Sequence, residues 1–242
     1  MTLLVLVVIW LVWFLVQGAG GWIGSDPYQF VSSVCDLGLV PGELTREAPV
    51  GFAVPLGDGL ACVVDDARVN YATPVISMFL HGSWSHLIGN SLYLWVFGNN
   101  VEDSMGRGRF LGFYLITGLV AAAAHIIVNP ASPVPTVGAS GAISGVMGAY
   151  LLLYPRIHVR MFFPPFFLFS VPAWAVLLLW FGSQILTGLP DLSPLRREVS
   201  GGVAVWAHIG GFVAGALLAW PFANREFVRR RIAGGDAQVV WS

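Results

Sequence analysis

Six apolar stretches, at about residues 2–17, 77–101, 109–128, 138–154, 166–187 and 203–222, limit what this chain can fold into. A helix needs roughly 20 mainly apolar residues to cross a bilayer, and each stretch approaches that length. Only 10% of the 242 residues are charged, where a soluble domain carries about 25%; mean hydropathy is +0.75. These features predict an all-α membrane protein, a bundle of six transmembrane helices with a long first outer loop. The expected division is a first span over residues 1–17, an outer loop over 18–76, a core of spans two to six over 77–222, and a cytoplasmic tail over 223–242. The first stretch lacks a basic segment before it, and Gln17-Gly18-Ala19-Gly20-Gly21 makes a poor cleavage site, so a span is expected rather than a signal peptide. A further short cytoplasmic stretch ahead of it is also expected.

Arginines set the orientation. With six spans, Arg107, Arg109, Arg156, Arg160, Arg225, Arg229, Arg230 and Arg231 share one side, and Arg46, Arg68, Arg196 and Arg197 share the other. The richer side is cytoplasmic by the positive-inside rule, so both termini are expected there, in a bacterial inner membrane or plasma membrane. Asp26, Asp36, Glu43, Glu47, Asp58, Asp65 and Asp66 then fall in the outer loop with Cys35 and Cys62. An oxidising outer compartment allows those two thiols to form a disulfide without requiring it. The net charge of −1 gives no pull toward nucleic acid.

Polar groups inside spans are costly and face the bundle interior or a water-filled cavity. The second stretch contains His81, His86 and Asn90, the last two four apart and so on one helical face. The fourth begins Gly138-Ala139-Ser140-Gly141, and the sixth holds Ala207-His208-Ile209-Gly210-Gly211. At 1.5 Å per residue, Ser140 lies ~21 Å above Tyr154, His208 ~20 Å above Pro221, and His86 and Asn90 ~22 and ~17 Å above Val101. These groups therefore converge on one level. Gly141 and Gly145, and Gly211 and Gly215, form small-residue faces that let spans four and six approach. That approach would bring the Ser140 hydroxyl to the His208 imidazole, a nucleophile beside its base. Every carboxylate sits in a loop, at a span end or in a tail, so a dyad is expected instead of a triad. Asn90, His86 and the Ser140 N–H are the natural donors to an oxyanion.

The same residues resemble the rhomboid family of intramembrane serine proteases, from about Ser77 to Gly215. His81-x4-His86-x3-Asn90 is similar to the family's second-span signature, Gly98-x3-Glu102-x3-Gly106 to the turn after it, Gly138-Ala139-Ser140-Gly141 to the nucleophile motif, and Ala207-His208-Ile209-Gly210-Gly211 to the base motif. The resemblance implies a catalytic Ser140–His208 dyad, oxyanion stabilisation by His86 and Asn90, single-span membrane proteins as substrates, and no metal or nucleotide cofactor. It also implies a lateral gate in the fifth span, at Trp174, Trp180 and Phe181. Two positions depart from the family pattern. Ala72 and Thr73 replace a Trp-Arg pair in the first outer loop. Ser144 replaces a Tyr that stacks beneath the base in some members, so something else must hold the His208 ring.

Two other readings fit parts of the sequence. A catalytically silent relative that binds membrane clients usually lacks the Ser or the His, and both are present. A transporter would continue its polar path into the inner halves of spans four and six, which read as apolar. His125 and His158 read as structural.

Overall fold

The computed structural model describes residues 1–21, 26–57, 59–65, 69–163, 167–192 and 204–233. Asp58, Asp66, Arg68, Arg196, Arg197 and the tail beyond residue 233 lie outside these. Helix α1 (Thr2–Leu15) is followed by a short turn, α2 (Gly18–Gly21), then α3 (Pro27–Leu37) and α4 (Pro41–Thr45). A hairpin of β1 (Ala53–Gly57) and β2 (Leu60–Val63) and a short α5 (Thr73–Ile76) lead to α6 (Trp84–Met105) and α7 (Arg107–Val128). After α8 (Ser140–Leu153) comes a second antiparallel hairpin, β3 (His158–Phe163) and β4 (Phe167–Pro172). Helices α9 (Ala173–Gly188), α10 (Val205–Phe222) and α11 (Arg225–Ala233) complete the order.

By length and composition, α7 and α10 are long and apolar enough to cross a membrane, while α1, α8 and α9 are shorter apolar helices. Two boundaries differ from expectation. The second stretch is not one helix from residue 77: Ser83 caps a new helix by accepting a hydrogen bond from His86 N at 3.1 Å, which leaves His81 ahead of it. A Ser at this position satisfies an otherwise unpaired first-turn N–H and so starts a helix. The fifth stretch begins as strand β4, and its helix starts only at Ala173. Pro172 bars the helix from extending back into β4 because proline lacks the N–H that a helix interior requires. The two hairpins add strand to an otherwise helical chain.

Helix α10 packs on both α8 and α7. A Cβ at Gly211 would sit 2.0 Å from Gly141 O, and one at Gly215 would sit 1.9 Å from Gly145 O. These contacts require the missing side chain, which lets the two backbones touch. Aromatic and aliphatic side chains of α1, α6, α7 and α8, including Trp13, Leu94, Phe113 and Tyr150, form the buried core beside this contact.

The two ends of the core are tied by polar bonds. Around Tyr150 and Tyr154, Asn100 Nδ2 donates to Tyr150 Oη at 3.1 Å, and Ser104 Oγ and Tyr154 Oη share a hydrogen bond. The C-terminal half of α8 is thus less apolar than the sequence suggests, but these groups bond to one another. At the opposite end, Leu39 and Thr136 form an isolated antiparallel bridge through Leu39 N–Thr136 O and Thr136 N–Leu39 O bonds of 2.9 and 2.7 Å. Thr45 Oγ1 donates to Pro130 O at 2.7 Å. These bonds dock the segment before β1 onto the loop that leads into α8. Cys35 and Cys62 form a disulfide joining α3 to β2.

Candidate active site

Ser140 opens α8, and His208 lies in the first turn of α10. Each therefore stands at the same end of its helix, and the Gly211–Gly141 contact one turn below keeps the helices together. His208 Nε2 lies 2.7 Å from Ser140 Oγ. His208 itself is buried, and Ser140 is half-buried. This is the separation at which a hydroxyl can hand its proton to an imidazole.

His86 and Asn90 line a cavity of about 680 Å³ together with Ser140, His208 and Trp180. Both project from α6, one turn apart. The Nδ1 of His86 accepts a long hydrogen bond from Gly82 N at 3.5 Å, which leaves Nε2 as the protonated nitrogen. That nitrogen faces Gly138: a Cβ there would sit 2.7 Å from it and 3.6 Å from Asn90 Nδ2. Gly138 has φ +132°, a backbone conformation that side chains disfavour. Its lack of a side chain thus admits both the turn into Ser140 and the approach of the His86 ring. Ser140 N–H, in the first turn of α8, has no carbonyl four residues back within the helix to bond.

The Ser83 cap places His81 outside the helix, where it can turn back. Its Nε2 lies 3.0 Å from Asn90 Nδ2, and its ring meets His86 edge-on with centroids 5.1 Å apart. His81 therefore fixes the Asn90 amide, a contact that nine-residue spacing on a continuous helix does not suggest. Gln17, at the end of α1, bonds both backbone groups of His81. Sequence reasoning missed Gln17 because it reads as the polar edge of the first span.

The ring of His208 makes a second polar contact. Its Nδ1 lies 2.8 Å from Gln184 Oε1 on α9, and the Trp180 ring lies against it with centroids 5.7 Å apart. Ser144 does not hold this ring: its hydroxyl donates to Ser140 O at 2.6 Å, within α8. Gln184 was hidden in an apolar stretch, where a single amide was the available signal. Of the aromatic residues singled out on α9, Trp180 and Phe181 pack on Phe212 of α10, while Trp174 is 49% exposed. Among the described residues, none that lines the cavity is an Asp or Glu, and no cluster of three or more His, Cys, Asp and Glu could hold a metal ion. The arrangement suits proton transfer from a hydroxyl in a partly enclosed pocket of mainly apolar walls that presents a few polar side chains.

The rhomboid domain family matches residues 70–225. The chain is 34% identical over 152 residues to rhomboid protease GluP of Bacillus subtilis, an alignment covering 63% of this chain and 26% of that protein. It is 27% identical over 183 residues to rhomboid protein 1, mitochondrial, of Saccharomyces cerevisiae, covering 69% and 48%. Over 120 residues it is 32% identical to putative rhomboid protease YdcA of Bacillus subtilis, covering 47% and 55%. The matched parts span about a quarter to about half of the length of these relatives.

Proposed function

Because this chain belongs to the rhomboid family, whose domain covers residues 70–225, we propose that it is an intramembrane serine endopeptidase acting through Ser140 and His208. Family membership makes it a membrane protein of helical fold. Within that frame, α1, α6, α7, α8, α9 and α10 are read as six spans, with both termini cytoplasmic and the Cys35–Cys62 disulfide in the outer compartment. A helix of 14 residues such as α8 is only ~21 Å long, less than the ~30 Å hydrocarbon layer. A helix of that length, beginning at Ser140, leaves the hydroxyl below the outer membrane boundary.

The single observation that carries the reading is the 2.7 Å contact between His208 Nε2 and Ser140 Oγ, in a cavity that also presents His86 and Asn90. The substrates are single-span membrane proteins whose helix enters beside α9, past Trp174, Trp180 and Phe181, and unwinds toward the cavity. Ser140 Oγ attacks the scissile carbonyl carbon as His208 Nε2 takes its proton. The developing oxyanion is met by His86, Asn90 and Ser140 N–H, donors each worth ~3–4 kcal/mol in such sites. Collapse of the tetrahedral intermediate breaks the C–N bond, and His208 returns its proton to the leaving amine. Water, deprotonated by the same imidazole, then hydrolyses the acyl-enzyme and restores Ser140.

The deciding experiment is cleavage of a single-span reporter in liposomes by wild type, Ser140→Ala and His208→Ala. Cleavage by wild type alone is expected, with all three proteins folded. Equal cleavage by the three, or none by wild type, sinks the proposal; the latter result favours a client-binding relative.

A further inference from the structure

His208 is held at both ring nitrogens. While Nε2 faces Ser140, Nδ1 faces Gln184 Oε1 at 2.8 Å. A neutral imidazole carries one N–H and one lone pair, so whatever occupies Nδ1 decides which face the serine meets. Gln184 Oε1 can only accept. It therefore keeps the proton on Nδ1 and leaves the Nε2 lone pair free for the Ser140 hydroxyl. The other end of the amide agrees with this orientation, since Gln184 Nε2 donates to Ser183 Oγ at 3.4 Å, and Ser183 Oγ donates to Trp180 O.

We propose that Gln184 is the positioning residue for His208, fixing its tautomer and ring angle as an aspartate does in a soluble triad, but without a charge. The proposal rests on the reading of Ser140 as nucleophile and His208 as base. An amide suits the location, because a carboxylate at this depth is costly to desolvate. Gln184 and Trp180 are four residues apart on α9 and so share one face, and both touch the same ring. The base is thus oriented from a different helix than the one that carries it. Displacing α9 removes the acceptor from Nδ1 and the indole from the ring together.

The test uses the purified full chain. A fluorophosphonate probe acylates an activated serine without a substrate helix having to enter, and a reporter substrate gives kcat and KM separately. Gln184→Met keeps the length of the side chain but removes the oxygen; Gln184→Glu keeps an acceptor. Gln184→Met is expected to slow labelling and lower kcat by about 10- to 100-fold, part of the ~10²–10⁴ that a positioned general base contributes, with KM unchanged. Gln184→Glu is expected to retain most of the labelling rate even though its carboxylate lowers the unfolding temperature, which separates the acceptor's role from stability. Labelling of Gln184→Met at the wild-type rate overturns the proposal. So does an equal loss in both variants, which would make Gln184 a packing residue. Gln184 is half-buried, and Gln184→Leu replaces Gln184→Met if the latter does not fold. A wild type that resists the probe refutes the nucleophile itself, and the positioning role with it, whatever residue stands at 184.

Discussion

Gln17 and His81 are joined by a matched pair of hydrogen bonds: Gln17 Nε2 donates to His81 O and His81 N donates to Gln17 Oε1, each at 2.8 Å. Both residues are fully buried. The side-chain amide takes the place of a neighbouring strand for one residue of irregular backbone, which needs its polar groups paired when away from water. From that anchored position His81 reaches Asn90. Gln17→Leu strands one donor and one acceptor, at about 1–3 kcal/mol each. A lower unfolding temperature is expected, together with a fall in kcat as Asn90 loses its fixed orientation. Unchanged kcat in a destabilised variant would separate His81 placement from catalysis.

Gly138→Ala meets two obstacles. Its φ of +132° is strained for any side chain, at about 1–3 kcal/mol, and its Cβ would lie 2.6 Å from the His86 ring. Reporter cleavage is expected to fall by about 10²-fold or more, the effect of losing one oxyanion donor. The rest of the fold should persist, as judged by thermal unfolding. Wild-type turnover by this variant would show that His86 can move without consequence.

Gly211→Ala tests the contact between α8 and α10. The added carbon would sit 2.0 Å from Gly141 O, so one helix must shift away from the other, and the Ser140–His208 pair with it. Loss of both stability and cleavage is expected, with overpacking costing about 1–3 kcal/mol. Gly182→Ala on α9 is the control, since a Cβ there has nothing within 4 Å. It should leave stability unchanged or raise it by up to about 1 kcal/mol through helix propensity. Thermal unfolding of the two variants side by side decides the matter.

Glu43, in α4, gives a pH dependence to the segment between α3 and β1. Burial raises its carboxyl pKa, and Asp65 and Asp36 add to the shift. A raised folded-state value means that the folded segment binds the proton more tightly than the unfolded chain does. Its contribution is therefore fully present below the ordinary glutamate pKa and is lost as pH rises through the elevated one. Hydrogen-exchange protection around residues 39–48, corrected for intrinsic rates, should decline across that window. Glu43→Gln should flatten the decline; an unaltered slope would place its origin elsewhere.

The nearness of Ser140 and His208 is legible in the sequence because helix rise converts residue number into depth. Gly211 and Gly215 also show which helices can touch. The partners that hold the pair are far less legible. Gln184 lies in an apolar stretch whose mean hydropathy masks one amide, although an amide there is itself a signal. Gln17 acts across 64 residues on backbone groups, which no side-chain pattern records. His81 and His86 read as nearly cofacial only if the helix is continuous, and the Ser83 cap breaks it. Strands β3 and β4 escape for a different reason: phenylalanine and valine serve a strand and a span equally, and only the prolines distinguish them. The disulfide needed the fold, which brings the Cys35 and Cys62 Cα atoms to 5.3 Å.

The 68 residues between Ser140 and His208 also set a schedule for biosynthesis. A ribosome adding 5–20 residues per second needs roughly 3–14 seconds to cover that interval. Throughout it, the half-made protein holds a serine with no base beside it. The imidazole arrives with α10, and Gln184 has been made by then. If the proposed dyad does the cleaving, any chain interrupted before that point lacks its base, and a truncated product is expected to be inert toward its neighbours while it awaits degradation.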